Sequence, residues 1–79
     1  MANIKYEIHR DLGALSDWQV WKKHVRVVSW NGAAPKIDIR TWNTETNQPA
    51  KGIALSDDEA RRLYEILRDY FAEKDKEDA

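Results

Sequence analysis

Cations and indoles recur at even spacing through the middle of this 79-residue chain: Lys22, Arg26 and Trp30 in one apolar-rich run, Lys36, Arg40 and Trp42 in the next. In an extended strand, residues two apart share a face, so each set projects from one side of its run. Positive charge interleaved with exposed indoles is the chemistry that single-stranded nucleic acid needs. Lysine and arginine track phosphates, and any base can stack its π face on an indole for roughly 1–3 kcal/mol, whatever the sequence. A duplex has less use for such a surface because its base faces are already stacked on one another. The same residues also fit a plainer arrangement, in which a cross-strand Trp30/Trp42 pair stabilises a hairpin and the arginines stack on it as surface cation–π contacts. On composition both readings stand.

Other chemistries find little support. The chain has no cysteine, so it has neither a disulfide nor a thiolate metal site. His9 and His24 fall on different strands without partners at ligand spacing and read as surface histidines. Ser29 and Ser56 have structural roles as a strand residue and a helix cap, and no phosphate-cradling glycine loop is present. Asp38, among cations, orients Arg40 or Lys36 by hydrogen bonding or forms an ordinary surface pair. The expectation is a non-enzymatic protein with no cofactor and no metal.

The elements that position the cations and indoles follow from local pattern. Alternation of Ile4, Tyr6 and Ile8 with polar residues predicts a first strand over 3–15, with a bulge or bend at Gly13. Ser16-Asp17 is a turn signal. The β-branched and aromatic run Val25–Trp30 is a second strand with a polar early half from Gln19 to His24. Asn31-Gly32 and Pro35 mark a hairpin loop, and Lys36–Trp42 alternates at period two as a third strand. On that reading Val25, Val27, Ile37 and Ile39 face a core, whereas Lys22, His24, Arg26, Trp30, Lys36, Arg40 and Trp42 face outward. Asn43–Ala50 has no apolar pattern and reads as an eight-residue loop. Lys51–Leu55 is a short fourth strand with Ile53 and Leu55 on the core side, Lys51 sharing their parity, and Gly52 permitting close backbone approach. Ser56-Asp57-Asp58-Glu59 is a capping box, and Ala60, Leu63, Tyr64, Leu67, Tyr70 and Phe71 recur at helical spacing to about Glu73. The expected fold is α+β: a four-stranded antiparallel meander followed by one helix that covers one sheet face.

Net charge is −1, but its distribution is uneven. Residues 18–56 carry six basic side chains against two acidic ones, while residues 73–79 hold four acids against two lysines and read as a frayed polar tail. So small a chain buries only about 60% of its unfolded surface and is marginal alone, which makes a homodimer the expected state. Trp18 and Trp21 suit covering the open end of the sheet or a dimer contact better than base stacking. No signal-peptide core or membrane-length apolar run is present, and the expected location is the cytoplasm, with nucleoid association in a bacterium.

Arg26-x-Val28-Ser29, then Ile37-Asp38-Ile39-Arg40-x-Trp42, then Lys51-Gly52-Ile53-x-Leu55 leading through Ser56 into a helix resembles the positive-cofactor-four transcriptional coactivator family. The likeness is to its single-stranded-DNA-binding domain, and most to the short bacterial YdbC-type members, over about residues 25–71. The chain differs from longer members in having Thr41 before Trp42 where they have two aromatics, and in a hairpin loop that is neither basic nor aromatic. The resemblance implies a homodimer that grips single strands, with Arg26, Arg40 and Lys51 at phosphate-contacting positions and Trp42 near a base-stacking position. The domain is then residues 1–72, with the tail at 73–79. The expected function is binding of single-stranded DNA with weak sequence preference, in transcription regulation or DNA replication and repair. The expected interface is Lys22, Arg26, Trp30, Lys36, Arg40, Trp42 and Lys51. A protein-interaction dimer using its tryptophans, or RNA binding, is the alternative.

Overall fold

Four strands and a helix follow one another in the computed structural model, which describes residues 5–16 and 20–77. They are β1 (Tyr6–Ala14), β2 (Trp21–Trp30), β3 (Lys36–Asn43), β4 (Gln48–Leu55) and α1 (Asp57–Glu77). All neighbours pair antiparallel in the order β1-β2-β3-β4, the expected meander. The expectations for Ile4, Asp17 and Trp18 lie outside the described residues.

Short-range signals decide the connections. Asn31 (φ 52°) and Gly32 (φ 78°) are both left-handed, and Ala33 N–H donates to the Trp30 carbonyl at 2.9 Å. This is the turn geometry whose twist suits a two-stranded ribbon. The expected bend in β1 is present as a register shift between Asp11 and Gly13, with a second between Ile8 and Arg10. The expected eight-residue loop is shorter: β3 continues to Asn43 and β4 begins at Gln48. Asn43 Oδ1 accepts from the amides of Glu45 and Thr46, and Asn47 takes the left-handed φ of 61° that closes the turn. These are side-chain devices that a search for apolar pattern passes over. Pro49 sits on the edge strand β4, where a missing N–H costs no ladder bond.

The capping box is formed as expected. Glu59 N–H donates to Ser56 Oγ at 3.2 Å and Ser56 N–H donates to Glu59 Oε1 at 2.9 Å, which holds the Glu59 carboxyl below its usual range. Residues 73–77, expected to fray, continue the helix, and Lys74 and Lys76 place positive charge at its C-terminal dipole end. Among the described residues the helix rests on β3 and β4, and no residue of it is buried.

The two sheet faces are reversed in burial from the sequence expectation. Val25, Val27, Ile37 and Ile39, expected as core, are half-buried, and Ile53 is exposed. Between them and the helix lies an open apolar cleft of about 330 Å³, bounded across from the sheet by Leu63, Tyr64 and Leu67. The face expected outward holds Val28, Trp42, Asp38 and Arg26, all buried.

The cause is curvature. Trp42 pairs with Lys22, eight residues along β2 from Trp30, a run of about 26 Å when extended. Yet the Trp30 and Trp42 ring centroids are 6.1 Å apart. The sheet therefore bends towards the indole face until side chains from opposite ends meet. Tyr6 on edge strand β1 then reaches the β3–β4 turn and donates its hydroxyl to the Asn47 carbonyl at 2.7 Å.

Candidate nucleic-acid interface

Four of the seven expected residues form one continuous ladder inside that curve. Trp30 and Trp42 are stacked at an interplanar angle of 18°. The Arg26 guanidinium lies over Trp42, 4.7 Å from the ring centroid, and that of Arg40 lies over Trp30 at 4.5 Å. Tyr6 packs against both indoles, 5.6 Å from each. The plain alternative from the sequence, a Trp30/Trp42 pair with arginines upon it, is therefore the arrangement present in the isolated chain. Trp42 is wholly buried and offers no free face for a base, whereas Trp30 and Tyr6 keep partly open rims.

Each arginine is held by its own carboxylate. Arg40 donates from Nε to Asp38 Oδ1 at 2.7 Å and from Nη2 to Asp38 Oδ2 at 2.9 Å, a bidentate fork. Its Nη1 donates to the Ala50 carbonyl at 3.0 Å. Asp38 also accepts from Trp30 Nε1 at 3.1 Å, and with no exposed surface it depends on all three donors. Arg26 donates from Nε to Asp11 Oδ2 and from Nη1 to Asn47 Oδ1, both at 3.0 Å. His24 Nδ1 lies 3.0 Å from the same Asp11 oxygen. Burial pulls the Asp11 carboxyl pKa upward, but the hydrogen bonds from His24 and Arg26 outweigh it and hold the group below the usual aspartate value.

Backbone choices fix this geometry. Gly52 pairs with Arg40, and a Cβ there would overlap the Arg40 Cβ, so glycine is what lets β4 lie close to β3 at this point. The register slips between Arg40 and Trp42, so Ala50 and Lys51 face Thr41 in a bulge that brings the Ala50 carbonyl to Arg40.

Lys22 and Lys36 share the parity of the ladder residues, and Lys51 stands in the bulge between the Arg40 and Trp42 pairings. Lys22 is half-buried opposite Trp42, Lys36 is exposed opposite Val28, and Lys51 is exposed at the bulge. Sequence reasoning did not find Tyr6, Asp11 and Asn47, which close the site from outside the central hairpin. Tyr6 carried a strand signal and Asn47 a turn signal, but neither carried a sign of the long-range bond between them. His24 Nε2 and Trp42 Nε1 are buried without partners among the described residues. Among those residues there is also no cluster of three metal-ligating side chains, and no helix is long and apolar enough to cross a membrane.

Comparison with known proteins agrees with the motif pattern. A family model described as Transcriptional Coactivator p15 (PC4) matches residues 19–66, from two residues before β2 into the helix. An uncharacterized protein of Treponema pallidum (strain Nichols) is 35% identical over 66 residues, covering 82% of this chain and 78% of its own length.

Proposed function

Because this chain belongs to the PC4 transcriptional coactivator family, we propose that it is a homodimeric, non-enzymatic protein that binds single-stranded DNA through the curved indole face with weak sequence preference. The observation that carries this reading is the ladder of Arg26, Trp42, Trp30 and Arg40. Two guanidinium groups and two indoles are assembled on one face at a real cost in buried charge. In this reading the ladder is the floor of the interface. Trp42 and Asp38 hold it rigid, the open rims of Trp30 and Tyr6 take bases, and phosphates follow Lys22, Lys36 and Lys51 past the arginine edges. Transcription regulation and DNA replication or repair are the settings such binding serves, and an RNA strand offers the same phosphates and base faces.

The homodimer rests on the opposite face. Leu15, Ile53, Tyr64, Leu67 and Phe71 are exposed there or along the helix, and an apolar surface of this kind is what a second copy would cover. Trp21, half-exposed on the same strand side as Val25, fits a protein contact better than the nucleic-acid face.

The direct test is Lys22→Ala combined with Lys51→Ala. Neither lysine holds the ladder, so thermal stability should be unchanged. Affinity for a labelled oligothymidylate should fall, and the slope of log affinity against log salt should lessen by about 1.4, the share of two phosphates. Unchanged affinity and slope would show that strands do not cross this face.

A further inference from the structure

The two ladder arginines are not equally committed to their carboxylates. Asp38 has no exposed surface and accepts three hydrogen bonds, so no solvent-borne anion can take its place beside Arg40. The Asp11 side chain is 40% exposed, while the Arg26 and His24 side chains it joins are only 9% and 13% exposed. The Arg26 guanidinium and the His24 ring are thus the fixed members and the carboxylate is the outer one. Asp11 stands on edge strand β1 between two register shifts, where the side chain can turn away without breaking a regular ladder. When it does, the guanidinium stays in place, stacked on Trp42 and tied by Nη1 to Asn47. Arg26 Nε–H and His24 Nδ1 then face the vacated carboxylate position, where Oδ2 lies 3.0 Å from each and Oδ1 lies 3.2 Å from His24 Nδ1. Fixed, converging N–H donors in a basic setting are what a phosphate oxygen requires.

We propose that Asp11 is an internal stand-in for phosphate: its carboxylate fills an anion site formed by Arg26 and His24, and a backbone phosphate of the bound strand displaces it. The inference rests on the single-strand reading and adds to it a residue that lowers affinity. Asp11 lies outside the residues that the family model matches. A phosphate entering here exchanges for an anion the protein already carries, so this contact favours binding only by the difference between two similar anions. Asp11 thereby holds binding weak and reversible.

The test is fluorescence anisotropy of a labelled 20-mer of thymidylate over a salt series, with wild type, Asp11→Asn and Glu7→Gln. Asparagine keeps the Oδ1 acceptor for the Gly13 amide, a 3.0 Å bond that supports the bend in β1. Glu7, exposed on the same strand and 3.8 Å from His9, loses the same charge without touching the site. Asp11→Asn should tighten binding about tenfold, the effect of one charge-assisted hydrogen bond. It should also steepen the salt slope by about 0.7, one further phosphate. Glu7→Gln should do neither. A second measurement uses the unaltered protein: the Arg26 Nε–H and His24 ring resonances should shift as thymidylate saturates it. If wild type binds while Asp11→Asn matches it and those resonances stay fixed, the inference is overturned and the single-strand reading stands. Binding by Asp11→Asn alone supports the masking, and no binding by either protein overturns both.

Discussion

A carboxylate without exposed surface must be matched by charge and hydrogen bonds where it sits. Asp38 meets that condition through Arg40 and Trp30, and so fixes both ends of one cation–π pair. Asp38→Asn should cost about 3 kcal/mol, because it leaves the Arg40 charge enclosed without its partner. In a domain this small, that lowers the thermal midpoint by roughly 12–24 °C. Removing Arg62, exposed on α1 and 3.4 Å from Glu65, should leave the melting curve where it is. A melting curve for Asp38→Asn that overlays wild type would contradict the role given to the ion pair. The sequence placed Asp38 among the cations and offered Arg40 as one of two partners, since residues two apart on a strand share a face. That its carboxylate is buried was not legible, because burial follows from the curvature that also brings Tyr6 to Asn47, forty-one residues away.

At the scale of elements, signals confined to a few neighbours were readable: the Asn31-Gly32 turn, the bend near Gly13 and the Ser56–Glu59 box. Parity was readable too, since Arg26, Trp30, Arg40 and Trp42 do share a face. Which face is inside was not, for period two separates the sides of a strand without saying towards which the sheet will bend. The helix shows the same limit. Its stripe is plain, but among the described residues of one chain it finds too little to cover it. A helix with this much exposed apolar surface gains little from packing within one chain, and the proposed homodimer is what would supply the rest. Phe71→Glu checks that partner. In a monomer it replaces an exposed side chain and should change little. In a dimer held through this surface it should shift sedimentation from dimer to monomer and lower the melting temperature. A wild-type chain that sediments as a monomer at high micromolar concentration would contradict the homodimer.

At the scale of the molecule, the bend divides the chain into two surfaces of different chemistry. One is curved, with arginines already neutralised by Asp38 and Asp11 and with lysines at its margins. The other is apolar and open. The net charge of −1 hides this division, because the acids gather on the helix and at its end while residues 18–56 carry a surplus of four positive charges. Family motifs carried much of the functional reading: Ile37-Asp38-Ile39-Arg40 and Lys51-Gly52-Ile53 lie where β3 and β4 build the Arg40 site. The measurement that bears most directly on the central claim is the anisotropy of a labelled single strand of about 20 nucleotides against its matching duplex, each at two salt concentrations. Single-strand binding should be the tighter and should weaken with salt by about 0.7 in log–log slope for each phosphate engaged. Equal binding to the duplex, or binding to neither, would contradict it and leave the indole ladder as a core that serves the fold alone.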